Sequence, residues 1–169
     1  MRLVQTGTST LQDTHQPMLK SLLAGLCLVA ATIVVHALGT TFWIGWLRRR
    51  SDNAPRKNIV LGRLEVLSAT AVALLVLHMI EVVVWAVSYL LLIGGHQFSG
   101  FEQAVYFSTV TFAALGYGDV VIEGTWRLLS AIQAMVGLMV FGWSSALLFA
   151  VVQRLLLQDE IPDRIRESG

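Results

Sequence analysis

The chain predicts an all-α integral membrane protein with three transmembrane helices and one shorter re-entrant segment. Three observations predict it. Hydrophobic residues make up 55% of the 169 positions and charged residues only 14%, whereas a water-soluble domain carries about 25% charged residues. Three apolar runs are long enough to cross ~30 Å of hydrocarbon, which takes about 20 helical residues, and a fourth is too short. The basic residues crowd into one short connection.

Residues 1–17 form a polar N-terminal segment (Thr6, Thr8, Ser9, Thr10, Gln12, Asp13), expected to fray. The first transmembrane helix is predicted over 18–47. Its apolar run, Leu22 to Leu47, is too long for a signal-peptide core and lacks a small-residue cleavage site at a suitable place, so it reads as a retained helix. A basic loop over 48–63 follows, with Arg48, Arg49, Arg50, Arg56, Lys57 and Arg63 opposed only by Asp52. Positive charge in short loops stays cytoplasmic. That places the N-terminus outside and the C-terminus inside, in a multi-pass protein of a cell membrane. Residues 158–169 read as a short cytoplasmic tail, with its charges nearly balanced.

Residues 64–157 form one module. It is expected to hold an outer helix over 64–94, a short helix over 99–114, a Gly-rich loop over 114–119 and a last helix over 126–157. Ser99-Gly-Phe-Glu102 has the form of a capping box, in which Ser99 caps the helix start and Glu102 reaches back to it. The short helix ends abruptly at Gly116-Tyr-Gly-Asp119. Non-helical backbone at membrane depth is tolerated only where it is buried in protein or lines water.

Here the residues reach a known family. Thr111-Phe-Ala-Ala-Leu-Gly-Tyr-Gly-Asp119 resembles the potassium-channel signature T-x-x-T-x-G-Y-G-D. The resemblance covers about Leu67 to Gln153 and is similar to the two-helix pore module of small prokaryotic channels, with one extra N-terminal span. It implies a potassium-selective channel subunit that conducts K⁺ passively through a four-fold homotetramer, one loop per chain, in a prokaryotic inner membrane. By resemblance, the backbone carbonyls of Ala114, Leu115, Gly116 and Tyr117 take the permeant K⁺ in place of its water shell. No cofactor is implied. Partners are K⁺, the lipid bilayer and further copies of the chain, with no nucleic acid. Gly118, Asp119, Tyr106 and Thr111 are expected to support this filter. Gly116 and Gly118 relieve the steric cost of alternating backbone, and the Thr111 end of the pore helix turns its negative dipole end to the cation.

The chain departs from the family in two places. Ala114 stands where a Thr hydroxyl usually lines the innermost site, and Tyr106 and Phe107 stand where two bracing Trp are common. Tyr106 can still reach Asp119, but Phe107 can donate nothing to Tyr117. These departures keep two alternatives open: a weakly selective K⁺/Na⁺ channel, and a non-conducting membrane sensor or assembly protein that keeps the pore fold. No metal-ligand spacing, nucleophile constellation or phosphate-cradling loop points to an enzyme.

No span carries the repeated Arg or Lys of a voltage sensor, and the tail is short for a ligand-binding domain. Gly137 and Gly142 fit either a gating hinge or close helix packing, with packing preferred at Gly142. Ionisable groups inside a span mark function by default. His36 and His78 fall at about 18 Å and about 22 Å from the basic loop at ~1.5 Å per residue, and Glu81 lies one turn from His78. They are a candidate pH-sensing patch, or a hydrogen-bonded patch that pins the first helix. Trp43, Trp46, Trp85 and Trp126 read as interfacial anchors, while Trp143 lies deeper. Ser144 and Ser145 face a cavity or bond to their own helix. Cys27, the single cysteine, excludes an internal disulfide and is expected to be buried.

Overall fold

A computed structural model describes the backbone over residues 6–51, 59–94 and 97–167, and the side chains over 18–50, 60–94 and 97–155. The element order is α1 (Thr6–Ser51), α2 (Ile59–Ile93), α3 (Phe101–Phe112), a 3₁₀ turn (Gly124–Trp126) and α4 (Arg127–Glu167). Among the described residues three stretches are long and apolar enough to cross a membrane: Met18–Arg50, Val60–Ile93 and Gly124–Leu155. At 12 residues, α3 is about 18 Å long and too short to span. The protein is thus a multi-pass all-α membrane protein.

The helices run past several of the sequence-based ends. α1 starts at Thr6 within the segment expected to fray, and it continues through the arginines to Ser51. Its last turn holds Arg48, Arg49 and Arg50, where cations complement the negative end of the helix dipole. α2 already begins at Ile59 and α4 continues to Glu167. The expected loop over 48–63 is thereby shortened, and its centre lies outside the described residues, as does the polar segment before Thr6. α2 stops where the Gly94 N–H bonds the Leu90 carbonyl at 3.2 Å, closing the last turn.

The expected capping box does not form. Gly100 takes the N-cap position with extended backbone and no side-chain cap, so the helix begins one residue later than Ser99 requires. From this frame Gln103 is the third helical residue, and its Oε1 accepts the Ser99 N–H at 2.6 Å. Glu102 takes no part in that exchange.

The chain divides into two compact units, to which α1, α2 and α4 each contribute. The first comprises residues 1–35 and 80–139, and its core gathers Trp85, Ala86, Tyr89, Phe98, Phe107, Phe112, Leu129 and Val136. Tyr89, Phe98 and Phe107 form an aromatic triangle with ring centroids 5.2 to 6.2 Å apart. Trp85 is fully buried, with its indole N–H donating to Thr32 Oγ1 at 2.9 Å. It links α2 to α1 and is not the interfacial anchor its position suggests. Cys27, by contrast, lies exposed on α1, because the face of α1 that meets its neighbours here is the one carrying Gly25 and Thr32.

The second unit comprises residues 36–79 and 140–169. Gly39 lets α1 and α2 approach closely: a Cβ there would sit 2.6 Å from Leu77 Cδ1. Trp43 donates its indole N–H to Thr70 Oγ1 at 3.2 Å and stacks on Trp46. The Arg50 guanidinium lies over the Trp46 ring and pairs with Glu65 across the two helices.

Candidate functional site

α3 ends in a Schellman motif. The Ala114 N–H bonds the Thr111 carbonyl and the Leu115 N–H bonds the Val110 carbonyl, both at 2.9 Å. That motif requires a left-handed residue at its turn, and Ala114 occupies it with φ 55°. Among the described residues Ala114 is the one non-glycine with positive φ. Gly116 and Gly118 follow at φ 58° and 79°, while Leu115 and Tyr117 do not share the sign. The loop therefore alternates between left-handed and ordinary backbone at every second residue. L-residues resist this conformation and glycine does not. All of 114–119 is exposed in the single chain. An open groove of about 890 Å³ flanks it, lined by Thr111, Ala114, Tyr117, Arg127 and Ala131 among others.

Asp119 closes the loop back onto α3. The Tyr106 hydroxyl donates to Asp119 Oδ2 at 2.7 Å, the contact expected from sequence. That hydrogen bond is the main reason the Asp119 carboxyl is held below its ordinary value. The same bond pushes the Tyr106 phenol up. Phe107 points the other way, into the aromatic triangle. Gln97 Nε2 and Oε1 meet the Glu123 carbonyl and N–H at 3.3 and 3.2 Å, joining the segment before α3 to the one after the loop.

The chief support of α3 was not visible in the sequence. Tyr89 Oη donates to Gln133 Oε1 at 2.7 Å, Gln133 Nε2 donates to Ser108 Oγ at 2.7 Å, and Ser108 Oγ donates to the Val82 carbonyl at 2.8 Å. Tyr89, Ser108 and Gln133 are all fully buried. The chain of donors runs in one direction from α2 through α4 and α3 back to α2, so no link competes with another. Gln133 is the one side-chain amide in the apolar run of α4 before Gln153, which was the available signal. One turn beyond it, Gly137 receives α3: a Cβ there would lie 2.0 Å from the Phe112 carbonyl oxygen. Gly137 therefore packs closely against the end of α3. At Gly142 a Cβ would meet nothing within 4 Å, so the packing preferred there is not found among the described residues.

Of the expected polar patch, His36 and His78 come together in the second unit. Their rings stack with centroids 5.7 Å apart and 13° between planes. Both Nε2 atoms face Ser144 Oγ, at 3.4 Å from His36 and 3.0 Å from His78. Trp143 meets the His36 ring edge-on and Phe141 tilts against His78. Glu81 is buried one turn further along α2. Ser145 bonds back to the Phe141 carbonyl, one of the two roles left open, whereas Ser144 is buried against the two imidazoles and takes neither.

Residues 74–154 match the family model described as ion channel. The match takes in most of α2, all of α3 and its loop, and α4 as far as Arg154, and it supports the potassium-channel pore-family resemblance. Among curated proteins and solved structures no match to the chain is found.

Proposed function

We propose, from the premise that residues 74–154 form an ion-channel module of the two-helix pore family, that the chain is one subunit of a homotetrameric, potassium-selective channel. The observation that carries this reading is the alternation of positive φ at Ala114, Gly116 and Gly118 inside Thr111-Phe-Ala-Ala-Leu-Gly-Tyr-Gly-Asp119. Alternating backbone of this kind brings successive carbonyls to one side of a strand. A ring of such strands offers a dehydrated K⁺ the oxygens it loses with its water. In this reading α3 is the re-entrant pore helix, its carbonyl end facing the ion path. The ligands are the carbonyls of Ala114, Leu115, Gly116 and Tyr117, and the Tyr106–Asp119 bond holds the loop's outer end. Four copies close the ring. The permeant ion is the substrate, and transport is passive.

A weakly selective K⁺/Na⁺ pore is the second reading, favoured by Ala114, which brings no hydroxyl to the innermost site. Uptake of ⁸⁶Rb⁺ by purified protein in liposomes separates the two. The potassium reading expects uptake that excess K⁺ competes away and excess Na⁺ does not. Equal competition by Na⁺ favours the second reading, and no uptake above empty liposomes overturns both.

A further inference from the structure

We propose that His36 and His78 form the nitrogen half of a binding site for a zinc-type divalent cation. The two imidazoles come from different helices, and their ligand nitrogens lie within 4.8 Å of one another. Both Nε2 atoms converge on one point, occupied by Ser144 Oγ at 3.0 and 3.4 Å. Two nitrogens on one tetrahedral zinc, each at about 2.0–2.1 Å, stand roughly 3.4 Å apart. Small side-chain rotations of two parallel rings close the remaining gap. Two buried imidazoles side by side are a ready pair of ligands of intermediate softness.

Several features hold the pair ready. Gly39, one turn from His36, lets α1 sit close against Leu77, the residue before His78. Trp143 and Phe141 wall the rings on the α4 side, so the imidazoles have little freedom to lose on binding. Ser144 supplies a hydroxyl oxygen at the point of convergence. A divalent ion in apolar surroundings also needs an anion. Over 18–50, 66–93 and 127–155 the sequence holds one carboxylate, Glu81. It follows His78 by three residues on α2 and shares its helix face. Spacing along the chain could not reveal such a site, because its ligands sit 42 residues apart (78 − 36) on two helices. Metal binding at this pair does not depend on whether the chain conducts.

The test uses the full chain with His15 and His96 replaced by Ala, which leaves His36 and His78 as its only histidines. The protein is stripped with a chelator, exposed to ZnCl₂ and gel-filtered, and then bound zinc per chain and the thermal midpoint are measured. One zinc per chain and a raised midpoint are expected, both lost in His36→Gln and in His78→Gln. Glu81→Gln should weaken binding by about tenfold or more. Should a Gln variant fail to fold, the His36→Cys/His78→Cys protein decides: it should bind again and now prefer Cd²⁺ to Zn²⁺, as thiolates do. Zinc uptake undiminished by the Gln substitutions would overturn the site. So would a folded parent that takes up none of Zn²⁺, Co²⁺ and Ni²⁺.

Discussion

Ala114 carries two opposed demands. As the left-handed residue of a Schellman motif it is best served by glycine, and an L-residue there costs about 1–2 kcal/mol. As the innermost member of the proposed filter it is the place where a hydroxyl would add oxygens. Ala114→Gly should therefore raise the K⁺-free thermal midpoint by up to about 1 kcal/mol equivalent. Ala114→Thr should lower it, because a β-branched side chain resists φ 55° still more, while gaining more stabilisation from added K⁺ than the parent does. Thermal melts with and without K⁺ check both, and a Thr variant indifferent to K⁺ would remove Ala114 from the ion path. Asp119 gives a second residue-scale expectation. Its carboxyl is held below its ordinary 3.8 chiefly by the Tyr106 hydroxyl. A depressed pKa means the contribution is present above the ordinary value and is lost as pH falls through the lowered one. Tyr106→Phe should return Asp119 toward its ordinary value, so acid loss of the folded protein or of flux begins at higher pH than in the parent. Superimposable acid profiles would show that the bond does not hold the loop. The glycines at 116 and 118 were legible from sequence because only they suit the alternation. The left-handed Ala114 was not, since alanine signals no turn and the motif is defined by carbonyls on α3.

α3 is held by side chains that no periodicity links. Tyr89, Ser108 and Gln133 sit on α2, α3 and α4, and nothing in the sequence pattern connects them. The family resemblance points to Tyr106 and Phe107 as places of missing braces, and this chain braces its short helix through Ser108. Gln133→Leu leaves the buried Tyr89 hydroxyl without its acceptor, at a cost of about 1–3 kcal/mol. Adding Tyr89→Phe to it should cost less than the sum of the two single changes, because the orphaned donor disappears with the hydroxyl. Denaturation midpoints of the two single variants and the double variant measure that coupling, and strict additivity would deny the bond. Gly137→Ala drives a Cβ toward the Phe112 carbonyl and should destabilise by about 1–3 kcal/mol as an overpacked site. Gly142→Ala meets open space and should leave the midpoint unchanged. A change of flux in Gly142→Ala without loss of stability would assign that position to bending.

At the scale of the whole molecule, the spans were legible because 20-residue apolar runs have few other uses. Their ends were less so, since a helix continues until its backbone is stopped and not until its hydrophobicity ends. That is why α1 carries its arginines on its last turn. Contacts among helices were out of reach, as the buried Trp85 and the exposed Cys27 show. What the single chain leaves open is its loop: Leu115 and Tyr117 are 55% and 67% exposed beside the groove that α3 and α4 frame. Apolar and aromatic side chains at the mouth of a hydrated path are better covered by protein than by water. Four copies around one axis would cover them and bring the four loops to face each other, as a closed ring of carbonyls requires. Native mass spectrometry should therefore find four chains per particle. Cys substitutions at Val121, exposed just past the loop, should cross-link into a ladder that stops at the tetramer. A dimer as the largest species would leave each loop half-walled and would end the pore reading. The orientation expected from charge puts Arg48, Arg49, Arg50, Arg56, Lys57 and Arg63 on the cytoplasmic side, where positive residues of short loops are held. With one span between that loop and the N-terminus, a Cys placed at Thr8 in a Cys27→Ser background should react with a membrane-impermeant maleimide in intact cells. Labelling only after lysis would invert the N-terminus, and with three spans it would also turn the 94–127 connection, and the 114–119 loop with it, to the cytoplasm.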